Sequence, residues 1–344
     1  MENKTIKVAI NGAGRIGRAF LKLALKESSI EIVAMNDLGD IENIAYLLKY
    51  DTAYGNAQFP VSVKEDKTAI IVNGKEIKFL SEKDPAVLPW KDLDVDVVIE
   101  STGAFTGYEK ARAHVTAGAK RVVITAPAKG EPKDETEVMV LMGINDEKLE
   151  KSVISSNASC TTNAISPVIQ ILHEKIGIDK AILNTTHAYT ASQVTVDGPN
   201  KKDWKEGRAA AQNIIPTSTG AAKALTKIVT DLEGKFDGLS MRVPVVAGSI
   251  ADVTFISKRD TTVEEVNKVL KEAASEPRWQ GLYTVTEDLI VSSDIVGSLF
   301  GSIADLGLTK VIGGNLVKVC AWYDNEMGYT NTLIKHVLKI GTFL

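Results

Sequence analysis

The feature that most constrains this chain is Gly12-Ala13-Gly14-Arg15-Ile16-Gly17. It lies between an apolar run over Ile6 to Ile10 and a helical pattern whose apolar face is Ile16, Ala19, Phe20, Leu23 and Ala24. Glycines at this spacing permit a tight turn and let the backbone approach a pyrophosphate at the positive end of the helix. Alone, the motif implies only a tight strand-to-helix turn. Asp37, 20 residues beyond Gly17 at the end of the next apolar run, adds a carboxylate able to accept hydrogen bonds from an adenosine ribose. Glycines, context and acid together point to dinucleotide binding.

The rest of the first half repeats the strand-helix alternation. Strands are expected at Glu31 to Met35, Val95 to Ile99, Arg121 to Ile124 and Val138 to Leu141, with helices at Ile41 to Leu48 and Tyr108 to Ala117. This predicts an α/β, Rossmann-type, doubly wound parallel sheet. Val61 to Leu80 alternates in period two around Asn73-Gly74 and reads as an inserted antiparallel ribbon. Past about residue 155 the pattern changes. A helix over Thr161 to Lys175 precedes long strand-like runs at Ala181 to Tyr189, Leu239 to Val246, Ala251 to Ser257 and Leu316 to Trp322. That predicts a second, α+β domain with a mixed or antiparallel sheet. Thr261 and Glu264 have the spacing of a capping box for a helix on that sheet. The polar stretch Ala191 to Pro216 is too long for an ordinary connection and reads as a functional or interface loop. The length of 344 residues suits two domains.

Composition excludes several classes. Lys and Arg number 40 against 44 Asp and Glu, leaving no excess cation to displace counterions from nucleic acid. Nucleic acid is therefore not expected as a primary partner. Neither a cleavable apolar leader nor a run of about 18 apolar residues is seen, so no membrane role is expected. With two cysteines, Cys160 and Cys320, the chain has too few for a disulfide framework and suits a reducing, cytoplasmic compartment.

Cys160 sits in Ser159-Cys160-Thr161-Thr162-Asn163 at the expected start of a helix, where the dipole and open amides are expected to lower a thiol pKa. An isolated cysteine is more often a small buried hydrophobe, and that reading is given to Cys320 in the run Val317 to Trp322. The hydroxyls flanking Cys160 favour an anion-binding helix start instead. Four histidines could serve as its base. His173 and His336 fall in helical patterns and His114 in an expected surface helix, leaving His187, on a strand among threonines, as the candidate. No further ligand has zinc-like spacing, so no metal is expected.

NGAGRIGR, ASCTTN, the THAYT strand, IIPTSTGAAKA and WYDNEMGY together resemble the phosphorylating glyceraldehyde-3-phosphate dehydrogenases, over stretches running from the first strand to the last helix. The resemblance implies NAD as cofactor, and glyceraldehyde 3-phosphate and inorganic phosphate as substrates. It also implies a homotetramer, whose long interface loop Thr195 to Arg208 resembles. It implies an NAD-binding domain over 1–157 completed by a C-terminal helix over 326–344, and a catalytic domain over 158–325. Cys160 corresponds to the nucleophile and His187 to the base. Cofactor contacts fall on Gly12, Gly14, Arg15, Ile16, Gly17, Asp37, Thr125 and Asn325, with Lys83 at the adenine where many relatives have arginine. Substrate and phosphate contacts fall on Ser159, Thr161, Thr190, Arg208, Thr219, Gly220 and Arg242.

The sequence departs from the family's usual runs at Ala13, Ala164 and Met327, and over 245–250 and 298–314. The alternatives are an erythrose-4-phosphate dehydrogenase or another phosphorylated-aldehyde dehydrogenase of the superfamily, and, without catalysis, an NAD- or RNA-binding regulator.

Overall fold

The computed structural model describes residues 5–344. Residues 1–4, the start of the expected first domain, lie outside the described residues. The chain forms two compact units, one running to Ala158 and taking in Leu333–Leu344, the other Ser159–Thr332.

The first unit contains β1 (Ile6–Asn11), α1 (Arg15–Ala24), β2 (Ile30–Asn36), α2 (Ile41–Lys49), β3 (Val61–Val63), β4 (Ala69–Val72) and β5 (Lys75–Leu80). It continues with β6 (Val97–Glu100), α3 (Tyr108–Thr116), β7 (Arg121–Ile124), β8 (Glu137–Met139) and β9 (Ile154–Ser156). Its nine-stranded sheet has the order β3-β4-β5-β2-β1-β6-β7-β9-β8. All pairings from β5 to β8 are parallel, and every residue of β6 is buried, as central parallel strands require. The ribbon around Asn73-Gly74 is present, with both residues at positive φ, 50° and 78°, as a two-residue hairpin turn demands. It is part of the same sheet, because β5 runs parallel to β2.

The order in which strands are added reverses at β1, with β2 on one side and β6 on the other, so ligands are expected beyond the carboxyl ends of these strands. The side chains there are polar, buried and mutually bonded. Asn11 Nδ2 donates to Glu100 Oε2 (2.6 Å), and Asn36 Nδ2 donates to Asn11 Oδ1 (2.7 Å). Thr102 donates to the other Glu100 oxygen through its N–H and its hydroxyl. His114, expected on a surface helix, is instead fully buried. Trp90 Nε1 donates to its Nδ1 (3.0 Å), so the ring proton is on Nε2, which lies 3.0 Å from Glu100. The charged pattern of α3 concealed an inward-facing polar residue.

The second unit contains α4 (Cys160–Lys175), β10 (Ile178–Ala188), β11 (Ile215–Ser218), α5 (Ala221–Thr226), β12 (Phe236–Val243), β13 (Ser249–Ser257) and α6 (Val263–Ala273). β14 (Tyr283–Thr286), β15 (Ser302–Ile312), β16 (Leu316–Tyr323) and α7 (Met327–Gly341) follow. Its seven strands have the order β11-β12-β10-β13-β16-β15-β14. β10 pairs with β12, and β14 with β15, in parallel; the other pairings are antiparallel. The two-part fold class expected from the sequence is the one observed. Strict alternation of burial along β13 gives the sheet one core face. The division between units falls within α7, whose residues up to Thr332 group with the second unit. The sequence expectation had placed 326–344 wholly in the first.

The cap of α6 also differs from expectation by one residue. Thr262, not Thr261, is the N-cap, and its Oγ1 accepts from Glu265 N–H. Thr261 N–H is committed to Gly314 O, which keeps that residue outside the helix.

His336 of α7 is fully buried, with Nδ1 3.0 Å from Asn157 Oδ1 and Nε2 2.8 Å from Ser155 Oγ. Burial pushes its pKa down from 6.5 to about 3. Between those values the unfolded chain binds a proton that the folded chain refuses, so stability falls as pH drops from 6.5 toward 3. The loss approaches about 1.4 kcal/mol per pH unit for this group. Urea denaturation from pH 7 to pH 4.5 should show a shallower acid loss in His336→Gln than in the unsubstituted chain; equal slopes would contradict the assignment.

Candidate active site

In the first unit, the three motif glycines have different jobs. A Cβ on Gly17 would overlap Gly12 O, and one on Gly12, at φ 104°, would come 2.6 Å from Thr102 N. These two set the packing of α1 against the strand ends. A Cβ on Gly14 would meet nothing within 4 Å, and no side chain caps α1 there. An uncapped helix start beside open space suits a diphosphate.

Asp37 follows β2 directly. Its carboxylate accepts from Ala13 N–H (2.6 Å) and Gly39 N–H (2.8 Å), tying the glycine turn to the β2 exit. Lys83 is exposed just beyond β5, the strand beside β2. Arg15 directs its guanidinium to Asp51 (2.9 Å) and over the Tyr54 ring. Thr125, after β7, donates both its N–H and its hydroxyl to Glu100 O.

In the second unit, Cys160 is the first residue of α4, and Ser159 is its N-cap, accepting from Thr162 N–H at 3.1 Å. Ala158, just before it, has φ 53°, a strained conformation for alanine. His187 lies near the end of β10, and its Nε2 is 3.4 Å from Cys160 Sγ. The parallel register sets Arg242 of β12 opposite His187. Arg242 Nη1 is 2.6 Å from His187 Nδ1 and 3.2 Å from Ala188 O.

Burial is the main influence on both Cys160 and His187, and it favours their neutral forms. The imidazole is pushed down to about 3, first by burial and then by the charge of Arg242. The thiol is pushed up by burial, against the pull of Arg242's charge and of hydrogen bonds from Thr161. The helix start therefore does not produce the lowered thiol pKa expected from the sequence. Cys320, inside β16, is pushed up to about 12, mainly by burial.

Two phosphate candidates have their hydroxyls occupied in structural bonds. Ser159 Oγ caps α4 and pairs with Thr162 Oγ1. Thr161 is buried, with Oγ1 2.9 Å from Tyr323 OH. Arg208 Nε donates to Asp197 (2.8 Å) in the long loop. Thr219-Gly220 leaves β11 at the end away from Arg242, because the ladder pairs Ile215 with Arg242 and Ser218 with Leu239. At about 3.3 Å per residue, Thr219 is ~13 Å along the strand from Arg242's position. Thr190, just past β10, bonds to Ser192 and Gln193. Asn325 Oδ1 accepts from Gly248 N–H (3.0 Å) and Ser249 Oγ (3.2 Å), which fixes the orientation of its amide.

Sequence reasoning missed Tyr323. Its ring meets His187 edge-on at 5.9 Å, while its hydroxyl is committed to Thr161 and Thr185. WYDNEMGY contained it, but nothing in the sequence placed it against the histidine. Ala158 carried no signal either, since alanine rarely adopts positive φ.

Residues 6–108 match the family described as "Glyceraldehyde 3-phosphate dehydrogenase, NAD binding domain". Residues 159–325 match "Glyceraldehyde 3-phosphate dehydrogenase, C-terminal domain". Among similar curated proteins, a glyceraldehyde-3-phosphate dehydrogenase of Thermotoga maritima is 51% identical over 331 residues, covering 95% of this chain and 97% of that one. One of Clostridium acetobutylicum is 48% identical over 334 residues, covering 96% of each. One of Streptomyces coelicolor is 48% identical over 343 residues, covering 99% of this chain and 100% of that one.

The site geometry predicts where thiol reagents go. Iodoacetamide at pH 8 should label Cys160 and leave Cys320 unmodified under native conditions. Thr161→Val removes a hydrogen bond that favours the thiolate and should slow that labelling roughly 3- to 10-fold, the worth of about 1 kcal/mol. Mass-spectrometric mapping with Cys320 modified first would overturn the assignment.

Proposed function

The chain belongs to the glyceraldehyde-3-phosphate dehydrogenase family, and from that premise we propose which of its residues carry the reaction and how. The activity is the glycolytic, NAD-dependent oxidation of glyceraldehyde 3-phosphate. The observation that carries the residue assignment is Cys160 Sγ at the start of α4, 3.4 Å from His187 Nε2.

Cys160 Sγ attacks the aldehyde carbon as its proton passes by way of His187 Nε2 to the carbonyl oxygen, giving a thiohemiacetal with a neutral hydroxyl. His187 Nε2 takes the hydroxyl proton as the C–H bond breaks with its electron pair. NAD, when bound, supplies the hydride acceptor. The carbon left on Cys160 is then a thioester. An oxygen of inorganic phosphate attacks it, the C–S bond breaks, and 1,3-bisphosphoglycerate leaves with the thiolate restored. The guanidinium of Arg242, beside the reacting pair, is the phosphate-binding group, with Thr190 at the adjacent strand exit contributing a hydroxyl.

The cofactor-holding residues belong to the turn Gly12 to Gly17, to Asp37, Lys83 and Thr125, and to Asn325. The open space at Gly14 and the uncapped α1 start fit a diphosphate. Because the Arg15 side chain is paired with Asp51, its contribution is through the backbone, as is that of Ile16. Asn325 has its oxygen turned to Gly248 N–H and so presents N–H donors to a carboxamide oxygen. Asp37 favours NAD over NADP, since a carboxylate binds a ribose 2′-hydroxyl and repels a 2′-phosphate. Exposed Leu38 supplies no compensating donor.

The enzyme assembles as a homotetramer in the cytoplasm. The exposed apolar side chains Val196, Trp204 and Ile214 of the long loop support burial against another subunit, and a reducing compartment suits a free-thiol nucleophile.

NADH formation should require glyceraldehyde 3-phosphate and depend on inorganic phosphate; a higher kcat/KM with erythrose 4-phosphate would overturn the substrate assignment. His187→Asn should lower kcat by about 10²- to 10⁴-fold, the usual contribution of a positioned acid or base. A preference of at least about tenfold for NAD over NADP should relax in Asp37→Gly. Equal efficiency with both cofactors in the unsubstituted enzyme would show that Asp37 does not meet the ribose.

A further inference from the structure

One nitrogen, His187 Nδ1, has two close neighbours that make opposite demands on it. It lies 2.7 Å from Ala188 O and 2.6 Å from Arg242 Nη1. A carbonyl oxygen can only accept a hydrogen bond, and a guanidinium can only donate. If Nδ1 carries a proton, it bonds to Ala188 but meets Arg242 donor to donor. If Nδ1 is bare, it accepts from Arg242, and the same Nη1 also reaches Ala188 O at 3.2 Å. The second arrangement sets two acceptors 2.7 Å apart, but Nη1 bridges both of them, whereas the first sets an N–H against a full positive charge; with Arg242 seated, the second is favoured.

The ring is held neutral by burial and by Arg242's charge, so it carries one proton in total. Proton placement is therefore exclusive. With Arg242 seated, the proton lies on Nε2, the nitrogen facing Cys160 Sγ at 3.4 Å. In that form Nε2 has no lone pair with which to act as a base. The other group against the ring does not change this, because the Tyr323 hydroxyl is bonded to Thr161 and Thr185.

Arg242 is only lightly held. Its Nε is buried without a hydrogen-bond partner, and the contacts of its Nη1 are His187 and Ala188. A phosphate offering two oxygens would satisfy the guanidinium better than one imidazole nitrogen does.

We propose that phosphate binding at Arg242 switches the tautomer of His187, drawing the guanidinium from Nδ1 so that the ring proton moves from Nε2 to Nδ1 and Nε2 becomes the base. The inference rests on the reading of Arg242 as the phosphate-binding group. Solvent carries the proton between the nitrogens, the ring stays neutral, and Nδ1–H then donates to Ala188 O. Arg242 is in this respect a positioning residue acting through His187. Base strength at Nε2 is thereby withheld until a phosphorylated ligand is present, so part of the phosphate's binding energy appears in the rate.

The test is nitrogen NMR of the full-length chain labelled at its four histidines, with the His187 signals assigned by their loss in His187→Asn and inorganic phosphate as the probe. Without phosphate, the unsubstituted enzyme should show the proton on Nε2; at saturating phosphate, on Nδ1. Arg242→Met, close in length but with no donor, should hold the proton on Nδ1 in both conditions. Arg242→Lys restores a donor and should recover the Nε2 form without phosphate. It should switch at a phosphate concentration about tenfold higher, the cost of a lost charge-assisted hydrogen bond.

Calorimetry on the same samples separates the two layers of the argument. Failure of phosphate to bind the unsubstituted enzyme would overturn the phosphate-binding role of Arg242, and the switch with it. Phosphate binding with no change of tautomer would overturn the switch alone. An Nε2 proton retained in Arg242→Met would show that Arg242 does not control the ring.

Discussion

The catalytic unit depends on the parallel register of β10 with β12, which sets His187 opposite Arg242 and Ala188 opposite Val243. On its other side β10 pairs antiparallel with β13 from Thr186 back to Ile178. A strand held on both edges cannot slip, because a one-residue shift would turn its whole buried set to the opposite face. The face so fixed presents Thr185 and His187 together, and both meet Tyr323 from β16: one at its hydroxyl, the other at its ring. Tyr323 also bonds Thr161 on α4. The helix that opens with Cys160 and the strand that carries His187 are thus joined through one buried phenol, and the 3.4 Å separation of sulfur and imidazole follows from three elements.

The first unit solves a different problem at the ends of its parallel strands. Glu100, a buried carboxylate, ends β6 beside Asn11 of β1. An isolated buried charge there would be very costly. Asn11, His114 and both donors of Thr102 surround it, so the network is satisfied at every carboxylate oxygen and rigid for that reason. Thr102 N is also the atom nearest to where a Gly12 side chain would project. The same network that satisfies the carboxylate therefore holds the backbone against the glycine turn and leaves that turn no room for a Cβ.

Much of this was readable in the chain, for identifiable physical reasons. The βα turn, Asp37, the Asn73-Gly74 hairpin and β7 all rest on local rules of conformation, and they stand where the sequence puts them. Cys160 and His187 were legible as chemistry, by elimination among few candidates. What stayed hidden was non-local or irregular. β15 escaped because the alternation in Ser302–Ile312 breaks, with its pairing to β16 shifting register between Asp305 and Lys310. β9, three residues long, is too short to show a period. His114 looked exposed because its neighbours on α3 are charged. The pairing of Arg242 with His187 joins residues distant in sequence through strand register, which no local pattern encodes. Residue type also did not show the structural partners of two hydroxyls, since Ser159 caps a helix and Thr161 bonds Tyr323.

The segment 245–250 shows why a departure in sequence need not be a departure in function. VVAGSI reads as a departure from the family's usual run, yet two of the contacts it makes at the site use backbone atoms. Val245 O accepts from Tyr189 N–H, closing the end of the strand that carries His187. Gly248 N–H donates to Asn325 Oδ1. Ser249 supplies the one side-chain contact, its Oγ lying 3.2 Å from both Ala188 N and Asn325 Oδ1. Backbone donors and acceptors are the same for nearly every residue type, so the identities at 245 and 246, which are not buried, can change while the chain path is kept. Gly248, at φ 91° with a Cβ position 2.6 Å from Ser292 O, is held to glycine by its backbone, and Ser249 by its hydroxyl, which can accept from an amide and donate to Asn325 at once. Main-chain atoms make the contacts of 245 and 248, and a hydroxyl makes the one at 249 that main-chain atoms cannot.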